Sequence, residues 1–541
     1  MNKILSFFTK NNRLMWLEYS CLSLLILLPL LAPGYILTLD LVFTPHAIPP
    51  KIADNDFLLD GLLWVFYLFL PGDSIEKIVL FTILIVSGGS MHLLIKYLVH
   101  PDSIAAWRIA PYGAGLFYMI NPFTYDRFMA GQWQFLLGYA LTPLFVRSLI
   151  AITRRPSIRS GIVAGLWAFV ITTASVHHTG ILLLLGGIGA TALIITKKLA
   201  ITRRFVTPAM AGVGIWLLLS LPWIVPALFS QSSIGSAVTS FDASHFAAFA
   251  TDGNGIVGKI ANVVRLQGFW VESQQLFLLP QSITPLWGLI FIFFWIVAGL
   301  GAAVAWKNRR GDAWFALGCV VLGILAAATP IIQWMSLILP PLAGFREPHK
   351  FASLVALGFA ILFAFGLAGL CGRYRRHGPI IAGIALLLPV ALTPTMLGGF
   401  AGQLTPRHYP QSWARANDWL AHNTANHAVL FLPWHQYADY SFSQRIIATP
   451  AEKYFTANII ASDDPEFGNV SPTSPNQQKQ VIASALATPP NARAASLSRI
   501  GIRYVMLAHE QDYKSYSWLS PYTPVAYQND DITIYALKET N

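Results

Sequence analysis

Charge is what this chain has least of. Only 11% of its 541 residues are Asp, Glu, Lys or Arg, whereas a soluble globular protein carries about 25%. So few charges cannot keep a water-facing surface of that size wet, and a soluble fold is excluded. Cysteine is almost missing as well. Cys21, Cys319 and Cys371 all lie in or at the edge of apolar blocks and read as small packing residues. The stretch beyond residue 400 has none, so disulfides do not staple it. There is also no Walker A loop, GxSxG elbow, dinucleotide fingerprint or HExxH-like spacing. Those absences withdraw support from ATP-driven transport, serine hydrolysis and a compact metal motif.

What is present is apolar residue, 55% of the chain, gathered in blocks close to the ~20 residues needed to span a bilayer. Spans are expected at about 18–39, 78–98, 108–120, 134–152, 160–176, 179–196, 206–229, 284–306, 312–332, 351–371 and 378–397. The first follows Lys3, Lys10 and Arg13 and precedes no small-residue cleavage site, so it reads as an uncleaved span rather than a removed signal. The block Phe57–Leu70 is too short to cross; about 14 residues of helix reach only about 21 Å. It is expected to lie in the outer interface or to be partly re-entrant.

The net charge of +11 does not imply nucleic acid, because it sits in the wrong place. Beyond residue 400, ten Lys and Arg face eleven Asp and Glu. The surplus falls in short loops: Lys10/Arg13, Lys96/Arg108, Arg154/Arg155/Arg159, Lys197/Lys198/Arg203/Arg204, Lys307/Arg309/Arg310 and Arg373/Arg375/Arg376. With eleven spans all six clusters share one side, which the positive-inside rule makes the cytoplasm. The expected protein is thus a multi-pass α-helical protein of the plasma membrane. Its transmembrane domain covers 1–398 and an extracytoplasmic α/β domain covers 399–541. In the latter, Gln411–His422 carries a helical apolar stripe, while Val429–Leu432, Tyr504–Leu507 and Ile532–Leu537 read as strands. Ser471–Asn476 reads as a loop. Polar chemistry then belongs to the outer segments Asp40–Lys77, Asn121–Gln132, Gln231–Ser282 and Gln333–Lys350 and to the tail.

Candidate residues follow from that placement. Asp40 closes the first apolar run after Ile36-Leu37-Thr38-Leu39; a half-desolvated carboxylate there is a stronger base, although it also simply marks where the chain leaves lipid. Arg346-Glu347-Pro348-His349-Lys350 places cations on the side where the charge rule disfavours them. They suit a lipid phosphate or mere snorkelling at a span end. Asn121-Pro122-Phe123-Thr124-Tyr125-Asp126-Arg127, followed by Gly131-Gln132-Trp133, suits a sugar or headgroup, or else a helix-breaking turn in an aromatic belt. His177 and His178 stand at a span junction, adjacent and therefore awkward for joint chelation. Asp242, His245, Arg265, Trp270 and Glu272 share one outer loop without specific spacing.

Several of these segments resemble the GT-C superfamily of integral membrane glycosyltransferases, in particular arabinofuranosyltransferases of the AftD type and YfhO-like membrane proteins. Those that resemble it are Leu39-Asp40-Leu41-Val42 with the block Phe57–Leu70, Asn121–Tyr125 with Gly131-Gln132 and Leu141-Thr142-Pro143, Asn262–Leu266 with Gly268 and Trp270, and Phe345–Phe351. The chain lacks the long C-terminal extension of the AftD type and an adjacent acidic pair at Asp40. The resemblance implies a polyprenyl-phosphate sugar donor, a cell-envelope glycan or glycolipid acceptor, and an inverting displacement with Asp40 as base. It assigns the donor phosphate to Arg346, His349 and Lys350, and sugar or acceptor contacts to Asn121, Tyr125, Arg127, Gln132, His178, Arg265 and Trp270. Asp54 and Asp56 are reserves as base or metal ligand, and it leaves a divalent metal (Mg or Mn) open. Two other readings compete: a transporter or flippase for a lipid-linked glycan, and a non-catalytic scaffold whose outer domain binds glycans or partners. Transporters carry ionisable groups near mid-span, whereas here polar groups gather at the boundary.

Overall fold

The computed structural model of the chain describes residues 12–99, 109–196, 202–229, 241–307, 310–424, 427–464, 474, 476–521 and 523–538. Eight of its helical segments are long and apolar enough to cross a membrane, or nine if the pair Gly378–Leu392 and Pro394–Ala401, bent by 68°, counts as one. In chain order the helices are α1 (Asn12–Leu27), α2 (Phe57–Tyr67), α3 (Gly72–Leu98), α4 (Ala110–Met119), α5 (Pro122–Met129), α6 (Trp133–Arg154), α7 (Ile158–Ala174), α8 (His178–Ile195) and α9 (Arg203–Leu228). They continue as α10 (Ala243–Ala248), α11 (Gly255–Val264), α12 (Trp287–Lys307), α13 (Gly311–Ala328), α14 (Ala352–Arg373) and α15 (Gly378–Leu392). Each expected span coincides with one of these. Two fall short of the eight: α7 has 17 residues and α4 has 10, with residues 100–108 before it outside the described set. Lys10, Arg108, Lys197, Lys198 and Arg309 of the basic clusters also lie outside it.

The bundle is organised around α14, whose residues 352–368 are all buried. α12 and α13 pack along it. Small residues permit this, since a Cβ on Gly366 would strike the Val297 carbonyl and one on Gly301 the Leu362 carbonyl. Where lipid-like surroundings supply no hydrophobic drive, such close backbone approach is what holds helices together.

Two local departures position the candidate site. The first span does not run to Leu39: it stops in a 3-10 turn at Leu30, because Pro29 and Pro33-Gly34 break the helix. Residues 31–39 then run as irregular chain, so Asp40 lies well beyond the helix end. The second is α2, with 11 residues. Leu58, Leu62, Val65 and Phe66 are exposed on one side, while Asp56, Asp60, Leu63, Trp64 and Tyr67 line a cavity on the other. That is the pattern of a helix lying along an interface.

After α15 the chain forms α16 (Gln411–Asn423), β1 (Ala428–Leu432), β2 (Tyr437–Asp439), β3 (Ile446–Ala448), β4 (Ile459–Ile460), α17 (Gln477–Leu486), α18 (Pro490–Arg499), β5 (Ile502–Ala508), β6 (Val525–Gln528) and β7 (Ile532–Ala536). The main sheet has the order β4-β1-β5-β7-β6, parallel across β4, β1 and β5 and antiparallel beyond. The expected stripe of α16 buries Trp413, Ala416 and Leu420. The loop expected at Ser471–Asn476 falls largely outside the described residues. β2 and β3 form a separate antiparallel hairpin, which bonds to Leu39.

Candidate active site

Residues 38–41 are clamped from two sides. On one side, Leu39 joins the hairpin: its N–H donates to the Ile446 carbonyl at 3.1 Å, and the Ala448 N–H donates to its carbonyl at 2.8 Å. On the other, the Asp40 N–H donates to the Ala130 carbonyl at 3.0 Å, and the Thr38 hydroxyl donates to the Met129 carbonyl at 2.8 Å. Leu39 sits at φ 39°, a conformation L-residues avoid; the clamp holds it there. Gly131 makes the approach of the two loops possible. It lies at φ 73°, and a Cβ there would run into the Leu41 nitrogen and the Thr38 carbonyl.

This clamp aims the Asp40 carboxylate into a cavity of about 430 Å³. The Tyr437 hydroxyl donates to Oδ1 at 2.6 Å; among the described residues, Oδ2 accepts no hydrogen bond. Burial raises the Asp40 carboxyl above the usual carboxylate range. The Tyr437 hydrogen bond opposes that rise, Glu347 adds to it, and Lys453 and Lys350 reduce it.

A network of ion pairs forms the cavity floor. Arg127, fully buried, pairs with Glu347 Oε1 and donates to Gln132 Oε1 at 2.6 Å. Its other terminal nitrogen lies 2.9 Å from His349 Nδ1, and the guanidinium sits 4.0 Å from the centre of the Phe269 ring. Glu347 Oε2 takes Lys350 Nζ at 3.2 Å, and Lys350 lies 3.1 Å from His177 Nε2. Burial alone would raise Glu347, but Arg127 and then Lys350 hold it well below the usual range. His177 is pushed down by burial and by Lys350, against Glu347. Lys350 and His177 both face the cavity.

The far wall is acidic. Asp56 accepts from Gln134 Nε2 at 3.2 Å. One helical turn on, burial and then Asp56 push Asp60 up to about 7. Lys453 reaches the same cavity from the C-terminal part. Burial lowers it, while Asp40, Asp60 and Asp56 oppose that.

The structure redistributes the expected roles. Asp40, Lys350 and Gln132 line the cavity. Arg346 carries no ion pair among the described residues; its guanidinium lies 4.1 Å from the Phe241 ring centre and 4.8 Å from that of Phe249. Most of the other expected contacts have partners within the protein. Asn121 caps α5, accepting from the Thr124 N–H and donating to the Phe117 carbonyl. Tyr125 donates to the Leu278 carbonyl and accepts from Gln403. Arg127 is the buried tie just described. His349 bonds to the Gln267 carbonyl at 3.0 Å and stacks on Phe269, so its ring is not offered to a phosphate. His178 packs 4.6 Å from the ring of Phe135, which lines the cavity together with His177. Arg265 is exposed, and Trp270 packs edge-on against Phe249 and Phe269. Asp242 and His245 cap α10.

Sequence reasoning missed Tyr437, Lys453 and Asp60. Asp60 had a signal, since Asp56, Asp60 and Trp64 share the i, i+4, i+8 face of α2. Among the described residues no three His, Cys, Asp or Glu side chains gather as a metal-ligand set. Asp40 is bonded to Tyr437 and Asp56 to Gln134.

A second, apolar cavity of about 650 Å³ runs between α6, α7, α8, α9 and α13. It extends from Thr172 and Thr179, beside Ser175 and His177 of the first cavity, to Arg154, Arg310 and Asp312 at the opposite end. Gly186 opens it, with no atom within 4 Å of where a Cβ would lie.

The sequence matches no protein-family model and no curated protein sequence. Solved structures do match. The arabinofuranosyltransferase AftD from Mycobacteria superposes with a TM-score of 0.59 at 14% identity, over 98% of this chain and 40% of that one. An oligosaccharyltransferase from Archaeoglobus fulgidus in its apo form gives 0.52 at 12% identity, over 93% and 70%. The archaeal oligosaccharyltransferase AglB, in complex with an inhibitory peptide and a dolichol-phosphate, gives 0.50 at 11% identity, over 92% and 69%. The chain thus has the fold of GT-C membrane glycosyltransferases, a multi-pass membrane fold, and spans less than half the length of the AftD chain.

Proposed function

We propose that this protein is a membrane glycosyltransferase that moves a sugar from a polyprenyl-phosphate donor to a glycan or glycolipid acceptor of the cell envelope. In this reading 1–398 is the membrane domain and 399–541 an outer domain, with the basic loops on the cytoplasmic side. The observation that supports it most is Asp40, whose Oδ2 accepts no hydrogen bond among the described residues, at a cavity that also holds Lys350, His177 and Lys453. The apolar groove beginning beside that cavity is suited to the donor's hydrocarbon chain.

The acceptor hydroxyl gives its proton to Asp40 Oδ2 as its oxygen attacks the anomeric carbon from the face opposite the phosphate. The bond from that carbon to the phosphate oxygen breaks, and the oxygen leaves with the electron pair. The configuration inverts. Cations near the departing phosphate stabilise charge that is largest in the transition state. Lys453 and Lys350 line the cavity for this purpose, and Arg346 lies close enough to feel Asp40. Lys350 is held in place by Glu347 and His177.

The test is transfer by purified protein from a panel of radiolabelled polyprenyl-phosphate sugars, with Asp40→Asn in parallel. Losing the general base is expected to cost about 10²–10⁴-fold in rate. Equal transfer by wild type and a folded Asp40→Asn overturns the base assignment. No transfer from any donor that demonstrably binds overturns the enzyme.

A further inference from the structure

The hairpin β2–β3 does more than cover the cavity. Tyr437 stands on β2 opposite Ala448 of β3, and Ala448 is the residue whose N–H bonds to the Leu39 carbonyl. The phenol therefore reaches Asp40 along the same ladder that fixes the Asp40 backbone. The loop that connects its two strands is fastened at both ends. Arg445 donates to the carbonyls of Gln403 at 2.8 Å and Leu276 at 3.2 Å. Glu510 accepts from the Ser441 N–H at 3.0 Å and hydroxyl at 2.7 Å. Such a donor is held in advance of any ligand, and the bond it makes occupies one carboxylate oxygen only.

We infer that Tyr437 is a positioning residue for Asp40: its hydroxyl fixes the carboxylate rotamer, keeps it ionised inside the cavity and directs Oδ2 at the acceptor. This rests on the reading of Asp40 as the base. A hydrogen bond to the charged form favours that form, and at 2.6 Å this one is of the short, charge-assisted kind. The other charged groups facing Asp40 are Glu347, Lys350 and Arg346 from the segment before α14 and Lys453 from the C-terminal part. Among the described residues none of them forms an ion pair with Asp40, which leaves Tyr437 as its direct side-chain donor.

The experiment is an infrared pH titration of the detergent-solubilised protein. The protonated-carboxyl band that disappears in Asp40→Asn belongs to Asp40, and its midpoint is followed in wild type and in Tyr437→Phe. In Tyr437→Phe the midpoint is expected to move up by about one pH unit or more, the effect of losing one hydrogen bond to a charged group. An unmoved midpoint overturns the inference whatever the enzyme does. In the donor-panel assay the same variant should lose rate at neutral pH and recover it as pH rises, with KM for the donor unchanged. A loss equal at every pH marks a merely structural role and also overturns it. Activity in Asp40→Asn instead removes the base reading while leaving the titration result standing. If Tyr437→Phe does not accumulate, 3-fluorotyrosine at 437 should move the midpoint down, because its more acidic phenol donates more strongly.

Discussion

Removing Arg127 should damage the protein far more than a single surface charge would, and the structure says by how much. Its side chain is fully buried and that of Glu347 is 7% exposed. Arg127→Met leaves Glu347 with Lys350 at 3.2 Å and Gln132 at 3.4 Å, so part of its charge stays compensated. Glu347→Gln is the harsher change, because a buried guanidinium and Lys350 then remain without a counter-charge. Breaking a buried pair from one side costs about 3–5 kcal/mol. Arg127→Met belongs at the low end of that range and Glu347→Gln at the high end. Taking out both, as Arg127→Met with Glu347→Gln, should cost less than the two single changes summed, by about 2 kcal/mol, because contacting charges couple. The assay is unfolding by SDS from mixed micelles, followed by tryptophan fluorescence, on all four proteins. Additivity within about 0.5 kcal/mol would refute the claim that these residues form one buried network.

Three further outcomes are expected. Gly131→Ala should displace the Asp40 loop, since the glycine lies at φ 73° against Leu41 and Thr38; transfer should fall at least tenfold, as a misplacement of about 1 Å can cost 10²-fold, and unchanged transfer refutes it. Asp60 titrates near 7 in the fold but near 3.9 unfolded, so the folded state holds the extra proton between those values. Its contribution to stability is present at low pH and lost as pH rises through about 7; Asp60→Asn should therefore melt higher than wild type at pH 8 and show little difference at pH 4, which thermal scans at both pH values check. Gly186→Leu places a side chain in open groove and should raise KM for a long-chain donor several-fold while leaving a short-chain analogue unaffected.

The membrane helices were legible because crossing a bilayer is a one-dimensional demand: enough apolar residues in a row. The same arithmetic identified Phe57–Leu70 as too short, and the structure lays it down as α2 with its acids facing inward. What a line of sequence conceals is which polar residues are needed merely to finish a turn. Asn121 suited a sugar contact or a helix-breaking turn equally, and it caps a helix, a role the start of any helix demands. His177 and His178 are neighbours in sequence, yet α8 sends only one of them into the cavity. Tyr437 could not be read at all. It lies 397 residues from Asp40 along the chain, and nothing in a short strand announces where its far end points.

That separation has a consequence for biosynthesis. The Asp40 carboxylate is bonded to a strand made 397 residues later, and until residues 437–448 have emerged, Leu39 lacks its ladder partner and Asp40 its phenol. A nascent or prematurely terminated chain can insert every apolar helix and still hold its reactive groups out of register. Assembly of this centre thus requires that segments 397 residues apart along the chain have met.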